Sequence, residues 1–488
     1  MVTTIFGRLH YNSMTPEPRR RPLTTDYDTF IHRSRYSCSA EDLYAFHARP
    51  GGLQRLLPPW ENTTVISDST GITPGSRARV KIHTGPLSFN FEALHVEEQP
   101  GTMFRDIQER GPFAHWSHTH LFHECNGGSI LEDRIDYALP AHRILPALIK
   151  RKIENKLTRL FRHRQQLLEN DLALHGKYSR SPLNILVTGG SGMLGKSLIP
   201  FLTTGGHRVW RLVRRRPVPG RNEIFWDPDP HTPFLKRDDL PPLDAVIHLA
   251  GEPITLSRRN KEKKKRVLTS RTAGTKLLSQ TLAELENPPA VLLSASAVGF
   301  YGGCGSEPIT EEHPPGKNFI AEVCRHWEKA VLPARQAGIR TVIMRIGVTL
   351  SPKGGALKRI LSTAPLGFIR HFGSGRQYIS WICEDDLLAA MLHALVTPSL
   401  EGTVNIAAPH PVTNGELMQT LAVVTGRPLL FPMPGRLFEM IYGQMAREII
   451  LSGCRVSSRK LEKTGFVFNW PTLNPALHYL LGKELKES

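Results

Sequence analysis

The apolar residues of this chain follow two different periods. Residues 28–38 alternate as a strand. Ser39 then stands where a helix cap would, with Asp42 three residues on, a variant capping box that opens a short helix over 40–48. Pro50-Gly51-Gly52 end that helix and Pro58-Pro59 punctuate the next stretch. Strand-like runs come next at Thr63–Ser67, Arg77–Thr84, Leu87–Val96, Met103–Glu109, His115–Glu124 and Ser129–Tyr137. Glycines and prolines separate them, which predicts antiparallel strands on turn spacing. From Leu145 the period lengthens. Leu145, Ile149, Ile153, Leu157, Leu160, Phe161 and Leu168 recur every three to four residues, so a long helix starts near Pro146. Its other face carries Lys150, Arg151, Lys152, Lys156, Arg159, Arg162 and Arg164. The apolar stripe is expected to pack on the sheet and the basic face to be wet.

At residue 183 the pattern changes again. Leu183–Val187 is an apolar run that turns through glycines into a helix at Met193–Ser197. Further strands are expected at His207–Val213, Ile224–Asp227, Asp244–Gly251, Val291–Ser294 and Thr341–Gly347, with helices between. Buried strands alternating with helices predict a parallel α/β sheet. Later, a helix is expected over Glu416–Thr425, an extended segment at Phe431–Gly435 and a helix over Leu437–Leu451. In the last, Phe438, Met440, Met445 and Ile449 are read as packing residues. The expected division is a tail over 1–23, a cavity domain over 24–175, a linker over 176–182, an α/β domain over 183–410 and a C-terminal cap over 411–488.

Composition narrows the class. A chain of 488 residues is too long for one core. No apolar run approaches the roughly 18–20 residues that span a bilayer. The first residues lack an apolar core with a cleavage site, so a cytoplasmic location is expected. Six scattered cysteines without a C-x-x-C suit a reducing compartment. The net charge of +18 comes without a nucleic-acid-binding motif, and no nucleic-acid partner is expected.

The stretch LNILVTGGSGMLGKSL, residues 183–198, carries the first candidate chemistry. A strand, a glycine turn and a helix in that order bind a dinucleotide. Gly189 permits the tight turn, Gly192 admits a pyrophosphate to the backbone, and Gly195 lets helix and strand pack closely. Gly190, Ser191, Met193 and Leu194 complete the turn and the helix start, whose N–H groups hold phosphate. At the end of the second strand stand Arg214, Arg215 and Arg216, with no acid. An arginine there suits a 2′-phosphate, so NADP(H) is favoured over NAD(H) and Arg214 is its candidate partner. Asp227 is expected near the adenine edge. The small residues of Leu249-Ala250-Gly251 give the nicotinamide half room to cross the sheet edge.

The spacing Thr188-Gly-x-x-Gly-x-x-Gly resembles that of the short-chain dehydrogenase/reductase superfamily. Further stretches narrow the likeness: VIHLAGEPI at 246–254, SRTAGT at 270–275, SASAVGFYG at 294–302, Trp327-Glu328, GSGRQYISWI at 373–382 and EDDL at 384–387. Together they resemble the extended, epimerase-family members of that superfamily that carry a C-terminal domain of unknown function (DUF1731 type). The resemblance covers 183 to about 483. It implies a Rossmann domain whose Tyr acts as general acid/base, whose Lys lowers the Tyr pKa, and whose Ser orients the substrate. Ser296, just past the fifth strand, matches the Ser, with Ser294 beside it. The Tyr-x-x-x-Lys pair is absent. With Glu328 aligned to the acid that often ends that helix, Ile320 and Cys324 fall on the Tyr and Lys positions. Tyr301 is the candidate substitute acid. Arg376 is a candidate for a substrate phosphate or carboxylate, and Trp381 for a stacking wall. Arg345 is expected to be buried and paired, or close to the cofactor.

In the first segment, HARPGG at 47–52, LPPW at 57–60, FRDIQ at 104–108 and GPFAHW at 111–116 resemble the START-like (SRPBCC, polyketide-cyclase-like) family. That resemblance implies an α+β helix-grip fold with an apolar cavity and a lipophilic ligand. His118 and His120 share a strand face, with His115 and His123 near in sequence. A metal needs a third ligand that the sequence does not place, so cavity-lining or edge histidines are expected and no metal. Two functions are compatible with these motifs. One is an NADP-dependent oxidoreductase or epimerase acting on a small hydroxyl or carbonyl substrate, a nucleotide sugar among the candidates. The other is a non-catalytic NADP-binding sensor or lipophilic-ligand carrier.

Overall fold

A computed structural model describes residues 27–67, 71–84, 87–140, 147–178, 181–253, 261–363, 368–435, 440 and 453–485. The chain divides into two compact units, Met1–Lys177 and Tyr178–Ser488.

The first unit is one antiparallel sheet with helices. Its strands are β1 (Asp28–Tyr36), β2 (Thr63–Ser67), β3 (Arg77–Thr84), β4 (Leu87–Gln99), β5 (Met103–Arg110), β6 (His115–Cys125) and β7 (Gly128–Ala138). They lie in the order β1-β7-β6-β5-β4-β3-β2. Helix α1 (Ala40–Ala48) starts as the sequence predicts: Ser39 Oγ accepts from the Asp42 N–H at 3.1 Å. Helix α2 (Gly52–Leu56) follows the left-handed Gly51, at φ +92°. Helix α3 (Ala147–Tyr178) buries Leu157, Phe161, Leu167 and Leu168. A buried bidentate pair, Arg55 to Asp171 at 2.6 and 2.8 Å, ties α2 to α3.

Two expectations change here, and a third is not reached. Helix α3 runs through Tyr178, so residues 176–178 are helical and not linker. Arg159 and Arg164 are not on the wet face. Arg159 lies over the Trp60 ring and Arg164 lines a cavity, because their long stems follow the apolar stripe. The expected tail over 1–23 lies outside the described residues.

The second unit holds a parallel sheet. Its strands are β8 (Asn184–Thr188), β9 (Arg208–Val213), β10 (Glu223–Phe225), β11 (Ala245–His248), β12 (Val291–Ala297), β13 (Arg340–Ile346) and β14 (Gly402–Ile406). The order is β10-β9-β8-β11-β12-β13-β14, with every pairing parallel. Strand order reverses between β8 and β11, the switch point where open α/β sheets bind ligands. The central strands are buried on both faces, which is why they read as continuous apolar runs. Helix α4 (Met193–Thr204) leaves the glycine turn. Helices α5 (Lys261–Ala283), α6 (Phe319–Lys329) and α7 (Glu384–Val396) cover the sheet. Beyond it, α8 (Asn414–Thr425) starts on a full capping box between Thr413 and Glu416. It packs Leu417, Met418 and Leu421 against Leu473, Leu477 and Leu480 of α9 (Leu473–Leu481).

The sequence reading omitted β14 and placed Ser296 and Asp227 differently. Ser296 lies inside β12, not past it. Asp227 lies beyond β10, in a backbone bridge to Phe234. Phe438, Met445 and Ile449 fall outside the described residues. Met440, expected to pack, is 63% exposed. Among the described residues no helix is long and apolar enough to cross a membrane.

Candidate functional site

The glycine turn stands at the switch point. Gly189 has φ +71°, and a Cβ there would lie 2.8 Å from the Leu249 carbonyl. A Cβ on Gly195 would lie 2.4 Å from Gly189 O, and one on Gly190 2.9 Å from Ile199 Cδ1. Side chains are therefore excluded at 189 and 195, where the neighbouring atoms are backbone. Gly192 caps α4 and no side chain caps that end, so its first N–H groups present a bare anion-binding terminus. Ser191 is exposed at the turn, with Leu194 partly buried behind it. Met193 packs against Gly354. The cradle thus fits a dinucleotide pyrophosphate.

A buried polar chain fixes the floor. Thr188 Oγ1 accepts from the N–H groups of Leu249 and Ala250, both at 3.1 Å. With both lone pairs used, its O–H donates to His248 Nδ1 at 2.8 Å. His248 Nε2–H then donates to Thr275 Oγ1, also at 2.8 Å. Burial, with Arg271 adding, pushes the His248 pKa down to about 4, so the ring is neutral. This network clamps the Leu249-Ala250 segment, and the side chain of Arg271 packs on Gly251. The sequence reading did not single out His248; its signal was an imidazole ending an otherwise apolar strand.

Of the three arginines after β9, Arg215 is bound to Glu223 at 2.7 and 2.8 Å. Arg211 joins it at 2.5 Å. Arg214 is exposed and acts on Glu252, whose carboxyl is held below its usual range first by Lys263 and further by Arg266 and Arg214. Arg214 and the segment after β11 therefore share one edge. Asp227 Oδ1 accepts from the Asp229 N–H at 3.0 Å, so part of its carboxylate serves a local turn.

The expected catalytic residues are engaged elsewhere. Ser296 Oγ donates to Glu328 Oε1 at 2.6 Å. Arg345 grips the same carboxylate with Nε and Nη2, both at 2.9 Å, and is itself only 5% exposed along its side chain. Its Nη1 donates to Tyr301 Oη at 2.9 Å, and Tyr301 donates to Asn405 Oδ1 at 2.6 Å. Tyr301 is 2% exposed, and burial pushes its phenol up to about 12 despite Arg345. These facts correct its reading as a substitute acid: its hydroxyl is already bonded and sealed from a substrate. Ile320 and Cys324 are both buried on α6. A Cβ on Gly299 would lie 2.6 Å from Ile320 Cγ2, and burial pushes the Cys324 thiol up to about 11. Ser294 is buried within β12.

Trp381 also needs correction. It is fully buried in the core with Leu350 and Leu357, and its Nε1–H donates to His410 O at 3.0 Å, so it cannot stack on a substrate. Arg376 is exposed, in a loop shaped by the left-handed Gly373 and Gly375. Arg345 is buried and paired, as expected.

The first unit holds a partly open cavity of about 210 Å³. Leu56, Ile72, Val80, Phe104, Trp116 and Phe161 form apolar walls, and His47, His95, Asp106, His118, His120 and Arg164 form a polar side. Burial holds His120 well below its ordinary pKa. Burial opposes ionisation of Asp133, but His120 and His118 beside it hold its carboxyl far below the usual range.

Comparisons with known proteins agree with this geometry. Residues 185–407 match the NAD dependent epimerase/dehydratase family, 433–480 a domain of unknown function (DUF1731), and 37–165 the polyketide cyclase/dehydrase and lipid transport family. The epimerase family protein Mb2239 of Mycobacterium bovis is 36% identical over 300 residues, 60% of this chain and 96% of the relative. A structure described as the nucleoside-diphosphate sugar epimerase of Corynebacterium glutamicum is 32% identical, with a TM-score of 0.76, over 93% of this chain and 90% of that one. Human epimerase family protein SDR39U1, crystallised with NADPH, is 31% identical, with a TM-score of 0.56, over 61% of this chain and 99% of that one. A parallel sheet with its glycine turn at the switch point, and relatives matched over nearly their whole length, lead to one assignment: the chain belongs to the epimerase family of short-chain-dehydrogenase-like proteins.

Proposed function

We propose that the second unit binds NADP(H) across the carboxyl edge of its parallel sheet and uses it on a small hydroxyl- or carbonyl-bearing substrate, as an oxidoreductase or epimerase-like protein. The observation that carries this reading is the side-chain-free cradle of Gly189, Gly192 and Gly195 before an uncapped helix end. The N–H groups at the start of α4 would hold the pyrophosphate. Arg214 would pair with the 2′-phosphate, and the Thr188–His248–Thr275 chain would keep the Leu249-Ala250 backbone in place. Bound there, the nicotinamide supplies or accepts a hydride. The NADPH in the human relative supports the choice of cofactor. In the first unit, the apolar cavity supports a small lipophilic ligand. Six unpaired cysteines support a reducing compartment such as the cytoplasm.

A second reading, NADP(H) binding without turnover, is favoured by one feature. Ser296 is bonded to Glu328, and no Tyr–Lys pair stands on α6 to move a proton. Titrating the protein with NADPH and NADH, then offering a carbonyl panel, separates the readings. NADPH consumption supports the first. Tight NADPH binding without consumption selects the second. Failure of both nucleotides to bind overturns both.

A further inference from the structure

The polar side of the first cavity is organised by strand register. Asp106 on β5 lies opposite His118 on β6, and Asp133 on β7 lies opposite His120. His118 and His120, two residues apart, share the face that looks into the cavity. Asp133 Oδ1 is 3.0 Å from His118 Nε2 and 2.8 Å from His120 Nδ1, the latter oblique to the ring N–H. One carboxylate oxygen thus bonds His118 and lies against the Nδ1 of His120. The nitrogens left over, His118 Nδ1 and His120 Nε2, each lie 3.9 Å from Asp106 Oδ2. That is too long for a hydrogen bond.

Two imidazole nitrogens and a carboxylate therefore converge without bonding one another, and among the described residues this is the one such cluster of possible metal ligands. Their donor atoms all lie within 4.8 Å of one another. Bonds of about 2.0–2.2 Å to a transition ion set ligand atoms roughly 3.4 Å apart in a tetrahedron. A small inward shift of side chains closes the difference. Asp133 already supplies the partner that orients a ligating histidine and fixes its tautomer.

We propose that Asp106, His118 and His120 bind a divalent transition-metal ion, zinc or ferrous iron, within the cavity of the first unit. Two imidazoles and one carboxylate match the preferences of both ions. Three protein ligands leave a coordination position open. The ligands line the apolar cavity, so that position takes the hydroxyl or carbonyl oxygen of a lipophilic molecule. This inference deepens the ligand-carrying role proposed for the cavity and is independent of NADP(H) binding.

The test uses the full-length protein, stripped by a chelator and titrated with Co²⁺, an optical probe for such sites. The expected result is one equivalent bound, with visible absorption of a four- or five-coordinate ion, displaced by Zn²⁺. His120→Ala and Asp106→Asn should each weaken binding at least ~100-fold, and Asp133→Asn ~10–100-fold. A retained near-ultraviolet spectrum reports the fold. Should His120→Ala misfold, the isosteric Asp106→Asn settles the matter. Absence of stoichiometric uptake by the unaltered protein overturns the proposal. So does uptake undiminished in Asp106→Asn, which would place the ion on other histidines. NADPH affinity is measured alongside, so failure here is distinct from failure of the cofactor reading.

Discussion

Ser296 donates a hydrogen bond to Glu328 Oε1, and Arg345 holds both oxygens of that carboxylate. The three groups form a largely buried set that Arg345 extends to Tyr301. Removing one member strands the others. Glu328→Ala leaves the Arg345 charge buried and unpaired, so a loss of about 3–5 kcal/mol is expected in urea unfolding. Ser296→Ala removes one bond to a carboxylate that keeps its arginine, and about 1–2 kcal/mol is expected. A Ser296→Ala protein of unchanged stability would show that the hydroxyl is not part of this set.

The glycine turn makes a sharper prediction. An alanine at position 189 meets both a left-handed φ and the Leu249 backbone; one at 195 meets the Gly189 carbonyl. Each of Gly189→Ala and Gly195→Ala should reduce NADPH affinity at least ~10-fold, because the strand-to-helix turn must open to admit a methyl group. Fluorescence titration reads this directly. Unchanged affinity in both variants would remove the cradle from the binding site.

Arg214 tests the choice of nucleotide. A charge-assisted bond to a phosphate is worth about 1.5–3 kcal/mol, or roughly 10–150-fold in affinity. Arg214→Ala should lose that factor for NADPH and little for NADH. Equal losses would reject the assignment. Arg215→Ala should act mainly on stability, since Arg215 is bound to Glu223.

His248 gives the second unit an acid limit. Its folded pKa of about 4 lies below the ordinary value of 6.5. Between those values the unfolded chain binds the extra proton, so stability is complete above about pH 6.5 and falls as pH drops toward 4. The shift corresponds to about 3 kcal/mol. Unfolding free energies measured between pH 7 and 4 should fall accordingly, and His248→Gln should flatten that part of the curve. Parallel curves for the two proteins would refute the buried neutral ring.

What the sequence revealed is what local chemistry dictates. Ser39 with Asp42, the glycine spacing from 189 to 195, and the alternation in β6 and β7 each act over a few residues, and each was legible. The arginine at 214 was placed by the end of one strand. What escaped depends on partners far along the chain. Ser296 meets Glu328 32 positions later, and Tyr301 meets Asn405 104 positions later. Trp381 sits in a polar-looking stretch whose burial comes from α8 and α9. Asp106 joins His118 and His120 only through the register of β5 on β6, which periodicity cannot supply.

Ile320 carries a last consequence. Its methyl group fills the space that the bare backbone of Gly299 leaves open. A tyrosine introduced at 320 would not simply reinstate a proton donor, because its ring would need volume that the neighbourhood has given away, at a cost of about 1–3 kcal/mol for overpacking. A lysine at 324 would enter a pocket now sealed around a thiol. Engineering a conventional reductase from this scaffold is therefore a problem of excavation before it is one of chemistry: the room has to be reopened from Gly299 outward.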